Sequence, residues 1–144
     1  MRSSKSISMI KKLPTTIKIT NIDHLVLTVR DIDRTVQFYE SILCMTKESF
    51  GEGRVALKFG DQKINLHKHG LEFEPKANNP LPGSEDLCFI TTTDLAEAIE
   101  HVRSQGIEII DGPVERTGAN GPIISFYFRD PDQNLIEVAN SKIS

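Results

Sequence analysis

At 144 residues, with 38% hydrophobic and 26% charged side chains, the chain has the size and composition of one soluble domain, able to bury roughly two thirds of its unfolded surface without a disulfide staple. A net charge of −3 offers no broad basic face, which argues against nucleic acid as a partner, and no apolar run reaches the roughly 20 residues that a membrane span requires. The two cysteines, Cys44 and Cys88, show neither a CxxC spacing nor a framework pattern; they read as free buried thiols of a reducing compartment, and the expected location is cytoplasmic.

Residues 1–20 form a basic tail with Arg2, Lys5, Lys11, Lys12 and Lys18, many Ser and Thr, and no acid before Asp23. Such a start also suits an organelle transit peptide, which would place the protein in an organelle matrix. Residues 21–144 read as a single domain. Ile22 to Val29 alternates as a strand, with Leu25, Leu27 and Val29 on one face and His24, Val26 and Thr28 on the other. Asp31 is a plausible N-cap for a helix whose apolar stripe is Ile32, Val36, Tyr39 and Leu43. Arg54 to Phe59 and Lys63 to His67 are the next strands, joined through Gly60-Asp61. Gly70 to Gly83, with Pro75, Pro80 and Pro82, is connector chemistry.

Beyond the connector the plan repeats. A strand ends at Ile90, and a helix with stripe Leu95, Ile99 and Val102 follows, with Asp94 and Glu97 spaced as a capping box and Gly106 at its stop. Gly112 to Pro122 is too Gly-rich for a helix and reads as a rim loop. Ile123 to Phe128 and Asn134 to Val138 are strands joined through 129–133. Laid over one another, the halves match His24 to Asp86, Leu25 to Leu87 and Leu27 to Phe89. The fold class is α+β: a duplicated strand, helix and antiparallel-strand module, about 21–69 and about 84–140. Placed side by side, the two helix-free faces curl into a cup.

Strand parity puts His24, Asn65, His67, Asp86, Cys88 and Glu137 on the helix-free faces. An unpaired carboxylate inside a cup is costly, and a cation offsets that cost. Arg116, Asn120, Asn65 and Tyr127 are candidate substrate contacts, since rim loops and cup walls supply such groups.

Three runs carry a resemblance: Asp23-His-Leu-Val-Leu-Thr-Val29, Phe38-Tyr39, and Phe126-Tyr-Phe-Arg-Asp-Pro-Asp-Gln-Asn-Leu-Ile-Glu137. Over about residues 20 to 140 the chain resembles the vicinal oxygen chelate superfamily, the glyoxalase/bleomycin-resistance/extradiol-dioxygenase group. Phe59 to His67, Phe73-Glu-Pro-Lys76 and Arg116 to Pro122 are similar more narrowly to glyoxalase-domain-containing protein 5-like proteins. The resemblance implies two paired βαβββ modules forming a cupped mixed sheet with helices on the outer face. It also implies a divalent metal at the base of the cup, held by His24, His67, Asp86 and Glu137. A second alignment puts Asn65 in place of His67. Two imidazoles and two carboxylates suit Ni, Co, Zn, Mn or Fe(II), whereas Asn65 in the set favours Mg or Mn.

The implied function is a lactoylglutathione-lyase-type lyase or isomerase acting on a small oxygenated substrate. Its metal would stabilise an enediolate, and Glu137 would be the catalytic base. Two alternatives come with the same resemblance: a resistance protein that sequesters a small toxic compound, and an extradiol dioxygenase built on His24, Asp86 and Glu137. The family also implies a homodimer, from side-by-side cups or from swapped modules.

Overall fold

The protein is described here from a computed structural model over residues 16–143. The basic segment read in residues 1–15 lies outside the described residues. Residues 16–23 form no regular element and are exposed. The first module runs β1 (His24–Val29), α1 (Ile32–Leu43), β2 (Thr46–Phe50), β3 (Arg54–Phe59) and β4 (Gln62–Lys68). The second repeats it with β5 (Asp86–Ile90), α2 (Leu95–Ser104), β6 (Asp111–Gly118), β7 (Gly121–Arg129) and β8 (Leu135–Ser141). Each module is βαβββ, as expected, and each builds a four-stranded mixed sheet, ordered β1-β4-β3-β2 and β5-β8-β7-β6. The first and last strands of each module are parallel neighbours at the sheet edge. Among the described residues no helix is long and apolar enough to cross a membrane.

Helix α1 starts where the sequence places it. Asp31 is extended (φ −143°), and its carboxylate accepts the Arg34 N–H at 3.0 Å. The buried stripe is Thr35, Val36, Tyr39 and Ile42, so Ile42 takes the inner place expected of Leu43, which is half-buried. Helix α2 corrects the capping-box reading, because the Asp94 side chain makes no cap bond. The Leu95 N–H is taken instead by Asn140 of β8, at 3.0 Å.

Gly112 to Gly118 is likewise not a loop but most of β6, paired antiparallel with β7 and irregular in register between Asp111 and Val114. Gly112 has a φ of +104°, and a Cβ there would lie 2.5 Å from the Ser125 carbonyl oxygen. The residue that made the stretch look like a loop is the one that lets this strand lie against β7.

Both helix-bearing faces feed one hydrophobic cluster, with Leu27, Leu66, Tyr39 and Ile42 from module one and Ile99, Val102, Phe126 and Ile136 from module two. The modules meet through their helices: the His101 ring of α2 reaches the Ser41 and Ile42 carbonyls at the end of α1, and Phe38 packs on Phe128. A polar clasp closes the same seam. Buried Asp130 accepts from the Tyr39 hydroxyl at 2.7 Å, from the Asp132 and Asn134 N–H groups, and from the Asn134 amide. Asp132 takes the Arg30 backbone N–H and guanidinium, and Asn134 accepts the Glu85 N–H. The Asp-Pro-Asp-Gln-Asn run therefore ties β1 and α1 to β5 and β8.

Candidate functional site

With the helix sides joined, the opposite face of each sheet is left open, and these free faces carry the candidate site residues. On the first, Val26 lies opposite Asn65 and Thr28 opposite His67. On the second, Asp86 lies opposite Leu135 and Cys88 opposite Glu137. The two ladders superpose, so the pair His24 and Asn65 occupies the same lattice points as Asp86 and Glu137. His67 corresponds to Ala139, which pairs with Ile90. Along the strand, His24 is offset from Asn65 by about 7 Å and from His67 by about 13 Å. The register thus brings Asn65, and not His67, to the neighbourhood of His24.

The electrostatics of the first face fit that division. His24 is exposed, and its Nδ1 lies 2.9 Å from the Asp23 carboxylate. Asn65 is 5% exposed and its Oδ1 has no hydrogen-bond partner. His67 is 3% exposed with an unpartnered Nε2, edge-on to Phe73 at 5.6 Å. Burial, and then the Arg54 guanidinium, pull the His67 imidazole below its ordinary value, so it is held neutral, although Glu72 works the other way.

On the second face Asp86 is exposed and Glu137 half-buried, with Cys88 opposite on β5 and Tyr127 opposite on β7. Local desolvation, and then the Glu137 charge, push the Cys88 thiol up to about 11. Desolvation also raises the Tyr127 phenol; Arg116, donating its Nε–H to the phenol oxygen at 3.0 Å, opposes this, while Glu137 adds to it. Arg116 also faces Asp111 at 3.6 Å. Cys88, Arg116, Asn120, Tyr127 and Glu137 line a cleft of about 490 Å³. Tyr127, whose direction the aromatic run left open, therefore faces the cleft with Glu137, Arg116 and Asn120, whereas Asn65 lies on the other module's face. Both cysteines are exposed rather than buried. For Cys88 the reason is that the free face on which it sits is uncovered in one chain.

Among the described residues no group of three or more His, Cys, Asp and Glu side chains stands close enough to hold a metal ion. The candidate ligands stand as two pairs, one on each module's sheet, and are not gathered into one cluster among the described residues. Parity alone could not show this, since it sorts residues by face but does not say how two sheets meet. The polar clasp around Asp130 was also missed; its signal was the close spacing of Asp130, Asp132 and Asn134 between two strands.

Residues 21–138 match the Glyoxalase/Bleomycin resistance protein/Dioxygenase superfamily. The chain belongs to this superfamily. Within it, the chain is 56% identical over 121 residues to virulence protein STM3117 of Salmonella typhimurium, covering 84% of each protein. An integron cassette protein from the mobile metagenome of V. Cholerae superposes with a TM-score of 0.87 at 61% identity, over 89% of this chain and 100% of that one. A lactoylglutathione lyase from Agrobacterium tumefaciens superposes with a TM-score of 0.66 at 25% identity, over 87% of this chain and 96% of that one.

Proposed function

We propose that the protein is a metal-dependent lyase or isomerase of the glyoxalase type, acting as a homodimer in which the free face of module one meets the free face of module two of a second copy. The observation that carries this reading is the matched register of His24 with Asn65 and of Asp86 with Glu137, together with the buried, unpartnered Oδ1 of Asn65. A buried acceptor without a donor is costly, and a cation removes that cost. The donor set then comprises one imidazole, one amide oxygen and two carboxylates, an oxygen-rich set suited to Mn or Mg, with Fe(II), Co, Ni and Zn as competitors. His67 in place of Asn65 would shift the preference toward the nitrogen-favouring metals. Exposed apolar residues on both free faces, Val26 at 40% and Ile90 at 59%, also favour covering them by a second chain.

When bound, the cation supplies Lewis acidity to two adjacent substrate oxygens. The rest falls to the chain. Glu137 takes the proton from one carbon of a hemithioacetal and returns it to the neighbouring carbonyl carbon, so a hydroxy-thioether ketone becomes a hydroxy thioester with no atom gained or lost. Cys88 and Tyr127 stand beside its carboxylate as proton donors and orient it. Arg116 and Asn120 hold the substrate from the cleft rim. The similarity to a lactoylglutathione lyase from Agrobacterium tumefaciens supports the thiol-adduct substrate class, and two free thiols suit a cytoplasmic setting.

The test is metal content together with turnover of a methylglyoxal–thiol adduct. The purified protein should carry stoichiometric divalent metal, lost in His24→Ala, and Glu137→Gln should lower turnover by about 10²-fold to 10⁴-fold. A metal-free, inactive wild type that binds small toxic compounds would replace this reading with sequestration. The second reading draws on the absence, among the described residues, of a three-ligand cluster in one chain.

A further inference from the structure

Arg54 opens β3 on the free face of module one. It lies opposite Phe50 of β2 and two positions from Ala56, which faces Asn65 in the ladder. Strand geometry therefore sets Arg54 about 7 Å along from the Asn65 rung. Its guanidinium carbon sits 5.0 Å from the centre of the Phe50 ring and 4.7 Å from that of Phe73, a connector residue whose ring also meets His67. The rings attract the cation and fix its position, but they supply no oxygen for its N–H groups.

A guanidinium carries five donors and a charge that ordinary pH never removes. Among the described residues no carboxylate forms an ion pair with Arg54. The nearby acids are engaged elsewhere. Glu72 of the connector takes the Gly70 N–H and faces His69, while Glu48 faces Lys63. Asp23 and Asp61 line a separate small cavity with Lys58 and Lys63. Lys63 also lies over the Phe50 ring, at 3.9 Å, which brings Arg54 a like charge and not an acceptor. Residues 1–15 contain no acid at all. The other arginines of the free faces differ in this respect: Arg116 has Asp111 and the Tyr127 hydroxyl, and Arg129 has the Gln133 carbonyl.

We propose that Arg54 anchors a carboxylate on the non-reacting half of the substrate. Guanidinium and carboxylate are both planar and join through two parallel N–H···O bonds, and one uncompensated positive charge matches a monoanion better than a dianion. This role rests on the proposed reaction for its setting, in which a short carbon chain spans the roughly 7 Å between the Asn65 and Arg54 rungs. The uncompensated guanidinium itself is complete within one chain. The thiol half of the adduct is then a short thiol acid, and Arg54 is a specificity-determining residue.

The test uses the full chain and two matched adducts of methylglyoxal, one with β-mercaptopropionate and one with its neutral amide. The acid adduct should have a KM lower by about tenfold with kcat little changed, the effect of one hydrogen bond to a charged group. Arg54→Met should erase the difference by raising the KM of the acid adduct alone, and Arg54→Lys, which keeps the charge but not the fork, should keep part of it. An arginine that only packs against its rings, or pairs with an acid of a second copy, would affect both adducts alike, and that result overturns the assignment. Binding without turnover is read on the same group in an isotope-labelled chain: β-(methylthio)propionate should move the Arg54 Nε–H resonance saturably, its amide should not, and the matching phosphonate should bind more weakly. Comparing acid with amide on the wild type decides the matter even if a variant fails to fold. Equal KM values for the two adducts, an unmoved Arg54 resonance, or tighter binding of the phosphonate also overturns it. A metal-free, inactive protein whose Arg54 responds to the acid removes the proposed reaction and leaves the anchor, whereas an active, metal-loaded enzyme indifferent to the acid does the reverse.

Discussion

Tyr39 carries a hydroxyl into the centre of the core, where it donates a hydrogen bond to the Asp130 carboxylate. Burial, then the charge of Asp130, push this phenol far above its ordinary value of 10.0. A group whose folded value is raised stabilises the fold fully below its unfolded value, and the contribution is lost as pH climbs above it. Tyr39→Phe should therefore destabilise the protein by about 1–2 kcal/mol at pH 7, because Asp130 keeps its other donors. Above pH 10.0 the penalty should shrink and then reverse, since Phe has no proton to lose. Denaturant unfolding of both proteins across pH 7 to about pH 11 checks this; a gap that stays constant would show that the hydroxyl contributes nothing through its proton. At this scale the sequence was legible in part. The apolar stripe announces Tyr39 as core, but the partner of its oxygen lies 91 residues away and no local spacing encodes it. Asn65 and His67 show the same limit: they share a face by parity, and only strand register separates them.

Elements were legible where a local pattern decides them and obscure where a distant strand does. Asp31 caps α1 from within its own turn, and the sequence shows it. Asp94 has the same spacing relative to Glu97, yet Asn140 holds the first N–H of α2 while donating its own amide to the Thr91 and Thr93 carbonyls. One side chain thus joins β8, the β5 exit and the helix start. Removing it frees an N–H at the positive end of the helix and two carbonyls that had accepted its amide. Asn140→Ala should cost about 1–2 kcal/mol, with amide exchange accelerated first at Leu95 to Ala98. Uniform acceleration across the chain, or none in the first turn of α2, would show that Asp94 supplies the cap after all. Strand β6 was hidden for a related reason: Gly112 and Pro113 read as loop chemistry, and the ladder to β7 overrides them.

For the whole molecule, the duplication is visible in sequence because each half repeats its own alternation. How the halves meet is not visible, because the interface is built from side chains that each module would bury against a helix in any arrangement. The shared core and the Asp130 clasp join the two modules on their helix sides, and the four-ligand site proposed above takes module one of one chain and module two of another. That requirement can be tested without knowing the substrate. His24→Ala spoils the module-one half of each site, and Glu137→Ala the module-two half. Each variant alone should bind no metal. When the two are unfolded, mixed and refolded together, half of the dimers are mixed, and each mixed dimer holds one site with both defects and one with none. Metal content should recover to about one quarter of the wild-type level for a two-fold assembly of this kind. A site completed within each chain predicts no recovery, because every chain in the mixture is already defective.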